Sequence, residues 1–344
     1  MHSGAGRRRT GRIAAAVTVL AALVSGVAML GLVASVAPAG AAERDLGPFR
    51  GLGTWVDAYD YAPSFQTNGR VPPVTPASVP DMAALGVHTL YLQVVKPQDG
   101  APGPLEEPDL LGQFLTAAHR HDVDVVAWYL PTFDDPTADL AIVRAMVDFR
   151  AGRQRFDALS LDVEWTDGVR DPVERSDRAV ALAKRTRALI GPDAPLGAAV
   201  YPAVQLEVLN TTLWPKFPYR RLAQYVDVWQ PMTYWTFRDG ELRDPGTYVK
   251  QSIHRLRTNL DDPSAVVAPI GGIADESTTL DDESFVAAVR STRSIGWSLY
   301  DFVTTSSAAW PVLRSARSAP TTTTTTVAPA PAPAPAPTTT TRLP

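Results

Sequence analysis

The middle of the chain alternates short apolar or β-branched runs with longer stretches of helical periodicity, and it contains eight such runs. They begin near Leu52 (LGTWVDAY), His88 (HTLYLQVV), Val123 (VDVVAWYL), Asp157 (DALSLDVEW), Leu196 (LGAAVY), Val226 (VDVWQPMTY), Ala265 (AVVAPIGG) and Gly296 (GWSLYDF). Successive starts lie 30 to 39 residues apart, close to the ~30 residues of one strand–helix–strand unit. Eight strands at that spacing predict an α/β fold of the (β/α)8 TIM-barrel type, usually about 250 residues long. The punctuation agrees. Ser78 followed by Asp81 reads as a capping box for a first helix that stops at Gly86. Asp171-Pro172 opens a fourth helix, Val180, Leu182, Ala183, Leu189 and Ile190 supply its apolar positions, and Gly191-Pro192 closes it. The rival architecture, a doubly wound open sheet, lacks its usual marks, because no strand is followed by a Gly-x-Gly-x-x-Gly or P-loop turn.

The two ends do not share this pattern. Residues 1–42 carry Arg7, Arg8, Arg9 and Arg12, no acid, the apolar run Ile13–Val36 and a small-residue exit at Ala39, Gly40, Ala41 and Ala42, which reads as a signal peptide. The apolar run has 24 residues, long enough to anchor the chain in a bilayer if it is left uncleaved. From residue 319 to 344 the composition is almost entirely Pro, Thr, Ala and Val, which predicts a disordered, polyproline-II-biased tail. One barrel domain over 43–318 remains. Without the four leader arginines, 28 basic residues face 36 acidic ones, a net −8, and this argues against nucleic acid as a partner. Cysteine is absent, which excludes disulfides, thiolate metal sites and a Cys nucleophile.

The fourth run holds the candidate chemistry. Alternation along Ala158–Glu164 puts Leu159, Leu161 and Val163 on one face and Ser160, Asp162 and Glu164 on the other. In a barrel the apolar set meets the helices and the polar set points inward. Asp162 and Glu164 then sit at the strand's C-terminal end, where barrel enzymes carry their catalytic groups. Two carboxylates so placed have Cα atoms about 6.6 Å apart, so their pKa values are pushed apart and one acid can keep a proton near neutral pH. Protonation of a glycosidic oxygen needs such an acid.

At these residues a family resemblance enters. Asp157-Ala158-Leu159-Ser160-Leu161-Asp162-Val163-Glu164 resembles the fourth-strand motif of the family 18 glycoside hydrolases, the chitinase family, written Asp-Gly-x-Asp-x-Asp-x-Glu. Asp157, Asp162 and Glu164 match, while Ser160 stands where the family has its middle aspartate. The resemblance implies Glu164 as general acid and Asp162 as the carboxylate that orients a substrate acetamido group and stabilises its positive charge. Gln230-Pro231-Met232-Thr233-Tyr234-Trp235 is similar to the family's sixth-strand Met-x-Tyr-Asp, with Tyr234 matching and Trp235 in place of the aspartate. The eighth run is similar to the segment that ends in the family's subsite tryptophan, with Tyr300 in that place. The Asp-x-Glu pair also resembles the family 25 lysozymes, whose inward first-strand aspartate would correspond to Asp57.

A glycan site needs exposed aromatic faces with amide or carboxylate partners. The candidates at strand ends are Trp55, Asp57, Gln93, Tyr129, Trp165, Tyr201, Gln230, Tyr234 and Tyr300, residue types that also fill barrel interiors. Alternation directs Gln93 inward, and Trp165, just beyond Glu164, is the preferred stacking platform. His119-x-His121 precedes the third strand at the end of a helix, on the face of a barrel that serves stability, so no metal is expected there. The expectation is a glycoside hydrolase, secreted or held at the cell surface or cell wall. It would act without a cofactor on an amino-sugar polysaccharide, chitin-like or peptidoglycan. The alternative is a chitinase-like protein that binds glycan without cleaving it, the direction in which Ser160, Trp235 and Tyr300 depart from the family.

Overall fold

Eight parallel strands form the barrel: β1 (Gly51–Val56), β2 (Thr89–Gln93), β3 (Asp124–Tyr129), β4 (Ala158–Val163), β5 (Leu196–Val200), β6 (Val228–Pro231), β7 (Ile270–Ile273) and β8 (Gly296–Tyr300). The structure is a computed structural model and describes residues 44–99 and 103–316. The expected signal segment and the Thr/Pro tail lie outside the described residues. Along the sheet the strands run β6-β5-β4-β3-β2-β1-β8-β7. The remaining seam, between β6 and β7, is closed by two isolated parallel bridges, Trp229 to Val267 and Met232 to Ile270. The seventh apolar run begins at Ala265, yet the regular strand starts only at Ile270. Pro269 interrupts it, since proline has no N–H to give to the ladder.

Strand alternation splits the apolar residues into two cores. Phe49, Trp55, Tyr91, Val126, Trp128, Ala158, Ala199 and Val228 fill the barrel interior. The intervening residues, among them Leu90, Leu92, Val125, Ala127, Leu159, Leu161 and Val163, face the helix layer. Tyr129 belongs to the second group, which corrects its place among the candidate glycan contacts. It follows the inward Trp128, so the two-residue period turns it outward, where it is fully buried and donates its hydroxyl to the buried carboxylate of Asp139. Glycines make room for the bulky interior: a Cβ on Gly53 would meet the Tyr91 ring at 2.5 Å, and one on Gly197 would meet Phe49 and the Gln230 side chain at 2.7 Å.

The helices begin where Asp-Pro pairs dictate. Asp135, Asp171 and Asp244 each N-cap a helix whose first residue is proline (Pro136–Asp148, Pro172–Ile190 and Pro245–Leu260), and each carboxylate accepts first-turn backbone N–H groups. Gly191 ends the second of these at φ +81°, the left-handed region that favours glycine. The Ser78–Asp81 box does not form. Thr75 caps a short 3-10 turn, Pro76–Ser78, instead, and the Ser78 hydroxyl accepts the Thr75 N–H at 3.2 Å, so the helix Val79–Ala84 follows without a side-chain cap.

Candidate active site

Asp162 points into the barrel from the penultimate position of β4, is 6% exposed, and its Oδ1 has no hydrogen-bond partner among the described residues. Glu164 follows in the turn after Val163 and is half-buried, less deeply than Asp162. Burial pushes Glu164 up to about 7, against the pull of the nearby Lys96 ammonium. Burial also pushes Asp162 well above the usual carboxylate range, the negative charge of Glu164 adds to the shift, and Lys96 again opposes it. Burial thus favours the protonated form of both acids, and the two interact as one proton-binding pair.

Aromatic side chains surround this pair. Trp165, Tyr201, Tyr234 and Tyr300 come from the ends of four strands, β4, β5, β6 and β8, and each is partly buried on the interior core. The charges of Glu164 and Asp162 hold the hydroxyls of Tyr201 and Tyr234 in the neutral form, after the larger effect of burial. Tyr300 packs 6.1 Å from Tyr234 between ring centroids and donates its hydroxyl to Asp57 Oδ2 at 2.8 Å. The other oxygen of Asp57 caps a short helical turn, Ala58–Tyr61, accepting from Tyr59 and Asp60 N–H. Gln93 points inward and is buried; its side-chain oxygen accepts the Ala58 N–H at 2.9 Å, so it braces the loop after β1.

Other candidates lie below the mouth. Trp55 is 1% exposed, stacks on Tyr91 at 4.3 Å and donates to Ser298 Oγ, so it is a core residue rather than a sugar contact. Gln230 is completely buried and accepts the Ser160 hydroxyl at 2.6 Å, so it supports the floor rather than touching a ligand. Trp235 does not enter the site at all. It lies in the helix layer beside Phe285, against Gly271 and Gly272, where any Cβ would meet its ring within 2.8 Å. Asp157 sits at the start of β4, the far end of the barrel, and bonds to His119 at 2.9 Å and the Val125 N–H at 2.7 Å.

Three charged residues were not visible as site members in the sequence. Lys96 lies three positions past β2 and also sits over the Tyr59 ring, 4.8 Å from its centroid. Asp60 and Asp301 join Asp57 at the ends of β1 and β8, with one oxygen from each within 4.8 Å of the others. Carboxylate oxygens in that arrangement suit protons or a hard divalent cation. Burial, then the charges of Asp57 and Asp301, push Asp60 up to about 7.

No protein-family model matches the sequence, and no curated protein is similar to it in sequence. Solved structures are similar in fold. The glycoside hydrolase domain of PgaB (BpsB) from Bordetella bronchiseptica is 13% identical, with 77% of this chain and 98% of that one covered and a TM-score of 0.53. A chitinase from Bacteroides thetaiotaomicron is 11% identical, with coverages of 78% and 95% and a TM-score of 0.54. GH5_18 from Streptomyces cattleya, solved in complex with GlcNAc, is 12% identical, with coverages of 78% and 80% and a TM-score of 0.56. These likenesses show the fold alone, a TIM barrel.

Proposed function

We propose that the protein is a glycoside hydrolase that cleaves an amino-sugar polysaccharide, chitin-like or peptidoglycan, by carboxylate acid/base chemistry. One observation carries the reading: an interacting pair of acids at the C-terminal end of β4, Asp162 inside the barrel and Glu164 in the turn that follows, with burial favouring the protonated form of both. Glu164 is the proton donor to the glycosidic oxygen. Asp162 is the buried carboxylate beneath the sugar ring. Positive charge developing on the sugar or its acetamido group favours ionised Asp162, and the proton held by Glu164 is the one bond cleavage uses. Trp165, Tyr201, Tyr234 and Tyr300 offer ring faces and hydroxyls to the sugar, and Asp57 fixes Tyr300 from behind.

The similar structures support this reading only at the level of fold. Among them are a chitinase and a complex with GlcNAc, which favours an amino-sugar substrate among the glycans. The basic and apolar leader supports a location outside the cell, secreted or at the surface. A second reading, glycan binding without cleavage, is favoured by one observation: the neutral Ser160–Gln230 pair stands where the resembled family carries a charged aspartate. Mass spectrometry of products after incubation with chitin oligosaccharides, peptidoglycan and neutral β-glucans separates the two. Cleavage of an amino-sugar polymer alone supports the hydrolase, and binding without products supports the second reading.

A further inference from the structure

Arg175, in the first turn of the helix Pro172–Ile190, is 2% exposed and forms no ion pair among the described residues. A buried guanidinium without a carboxylate partner is costly, so the bonds it makes identify what it holds. Its Nη1 donates to the carbonyls of Thr166 at 3.1 Å and Val169 at 2.9 Å, both in the loop that carries Glu164 and Trp165. Its Nη2 donates to the Leu213 carbonyl at 2.9 Å, in the segment after β5. The guanidinium carbon lies 4.2 Å from the centroid of the Trp214 ring, and Trp214 is in turn fixed by its N–H to Ser176 Oγ at 2.9 Å. The loop is confined on its other side too. Gly168 lies so close to the Thr132 carbonyl that a Cβ could not fit, and Arg178, one turn along the same helix, donates to the Phe133 and Asp134 carbonyls at 2.7 Å.

We propose that Arg175 is a positioning residue for the candidate site: its planar fork ties the loop after β4 to the loop after β5 and so fixes Glu164 and Trp165 relative to Tyr201. This rests on the reading of Glu164 as proton donor. The bonds need a donor that reaches two loops at once in fixed geometry, which guanidinium supplies and an ammonium does not. Proton delivery depends on placement to within about 1 Å, so loosening the loop affects turnover more than ground-state binding.

Hydrogen exchange on the wild type, Arg175→Met and Arg175→Lys tests the tie without requiring turnover. Below the melting temperature of each protein, amides of residues 165–171 in both variants should exchange roughly tenfold or more faster, while those of β4 keep their wild-type rates. Unchanged loop rates in a folded variant overturn the proposal. Turnover of chitin oligosaccharides supplies the second readout, with kcat down roughly tenfold to a hundredfold and KM changed less than about threefold. Wild-type kcat in either folded variant also overturns it. If Arg175→Met fails to fold, Arg175→Lys, which keeps the charge and the stem, carries both readouts; if neither folds, Arg175 is a stability residue and the proposal falls. A wild type that cleaves no glycan refutes the hydrolase reading instead, and the exchange rates alone then decide the role of Arg175.

Discussion

Inside the barrel the Ser160 hydroxyl donates to the side-chain oxygen of Gln230 at 2.6 Å, two residues below Asp162 on the same strand face. A neutral hydrogen bond thus occupies the place where the resembled chitinase motif has a charge. The proton affinity of Asp162 is set by its burial, by Glu164 and by Lys96. Ser160→Ala leaves the buried Gln230 oxygen without its donor, a loss of about 1–3 kcal/mol. A lower Tm with an unchanged pH profile of turnover is the expected outcome, and a displaced profile would show that Ser160 does influence the acids.

Turnover should fall as pH rises through about 7, because Glu164 titrates there and only its protonated form can donate. The Lys96 ammonium favours the ionised form of both acids and so lowers their pKa values. Lys96→Met therefore moves the alkaline limb of kcat/KM to higher pH. A limb that stays in place, or moves down, would remove Lys96 from the electrostatics of the site.

Trp165 is half-buried beside Glu164 and packs on the interior core. Loss of its ring should weaken glycan binding by about 0.5–1.5 kcal/mol beyond the lost contact area, read as a several-fold rise in KM or Kd for Trp165→Ala. Trp55→Phe, deep in the barrel, should instead lower Tm while leaving Kd for oligosaccharides unchanged. Titration of oligosaccharides against both variants checks the distinction.

Asp60 gives a stability test independent of activity. Its folded pKa of about 7 lies above the ordinary value of 3.8, so between those pH values the folded chain holds a proton that the unfolded chain has released. Stability consequently falls as pH rises through that window. Asp60→Asn carries no such proton and should melt higher than the wild type at pH 8 and level with it near pH 3. Thermal melts across this range check the sign, and equal differences at both ends would contradict it.

Most strand positions were legible because apolar runs recur at the strand–helix period, and the Asp171-Pro172 pair announces its helix start by a local mechanism. The seventh run misled by several residues, since Pro269 cuts the ladder inside an otherwise β-like stretch. Within strands, alternation tells which face a residue takes but not its depth along the barrel axis. Trp55 and Gln230 point inward yet lie under the floor, and Tyr129 fell on the outer face by a one-residue step from Trp128. Lys96, Asp60 and Asp301 escaped notice because they follow strand ends, where the two-residue period stops; only closure of β8 onto β1 brings Asp301 to Asp57 and Asp60.

The most direct test of the account compares the wild-type domain with Glu164→Gln, incubated with the same amino-sugar polymers and read by mass spectrometry of the products. The amide keeps the shape of the side chain and removes the transferable proton. The account predicts cleavage by the wild type and its loss in Glu164→Gln, with Tm and glycan affinity close to wild type. Products formed at the wild-type rate by folded Glu164→Gln would contradict it.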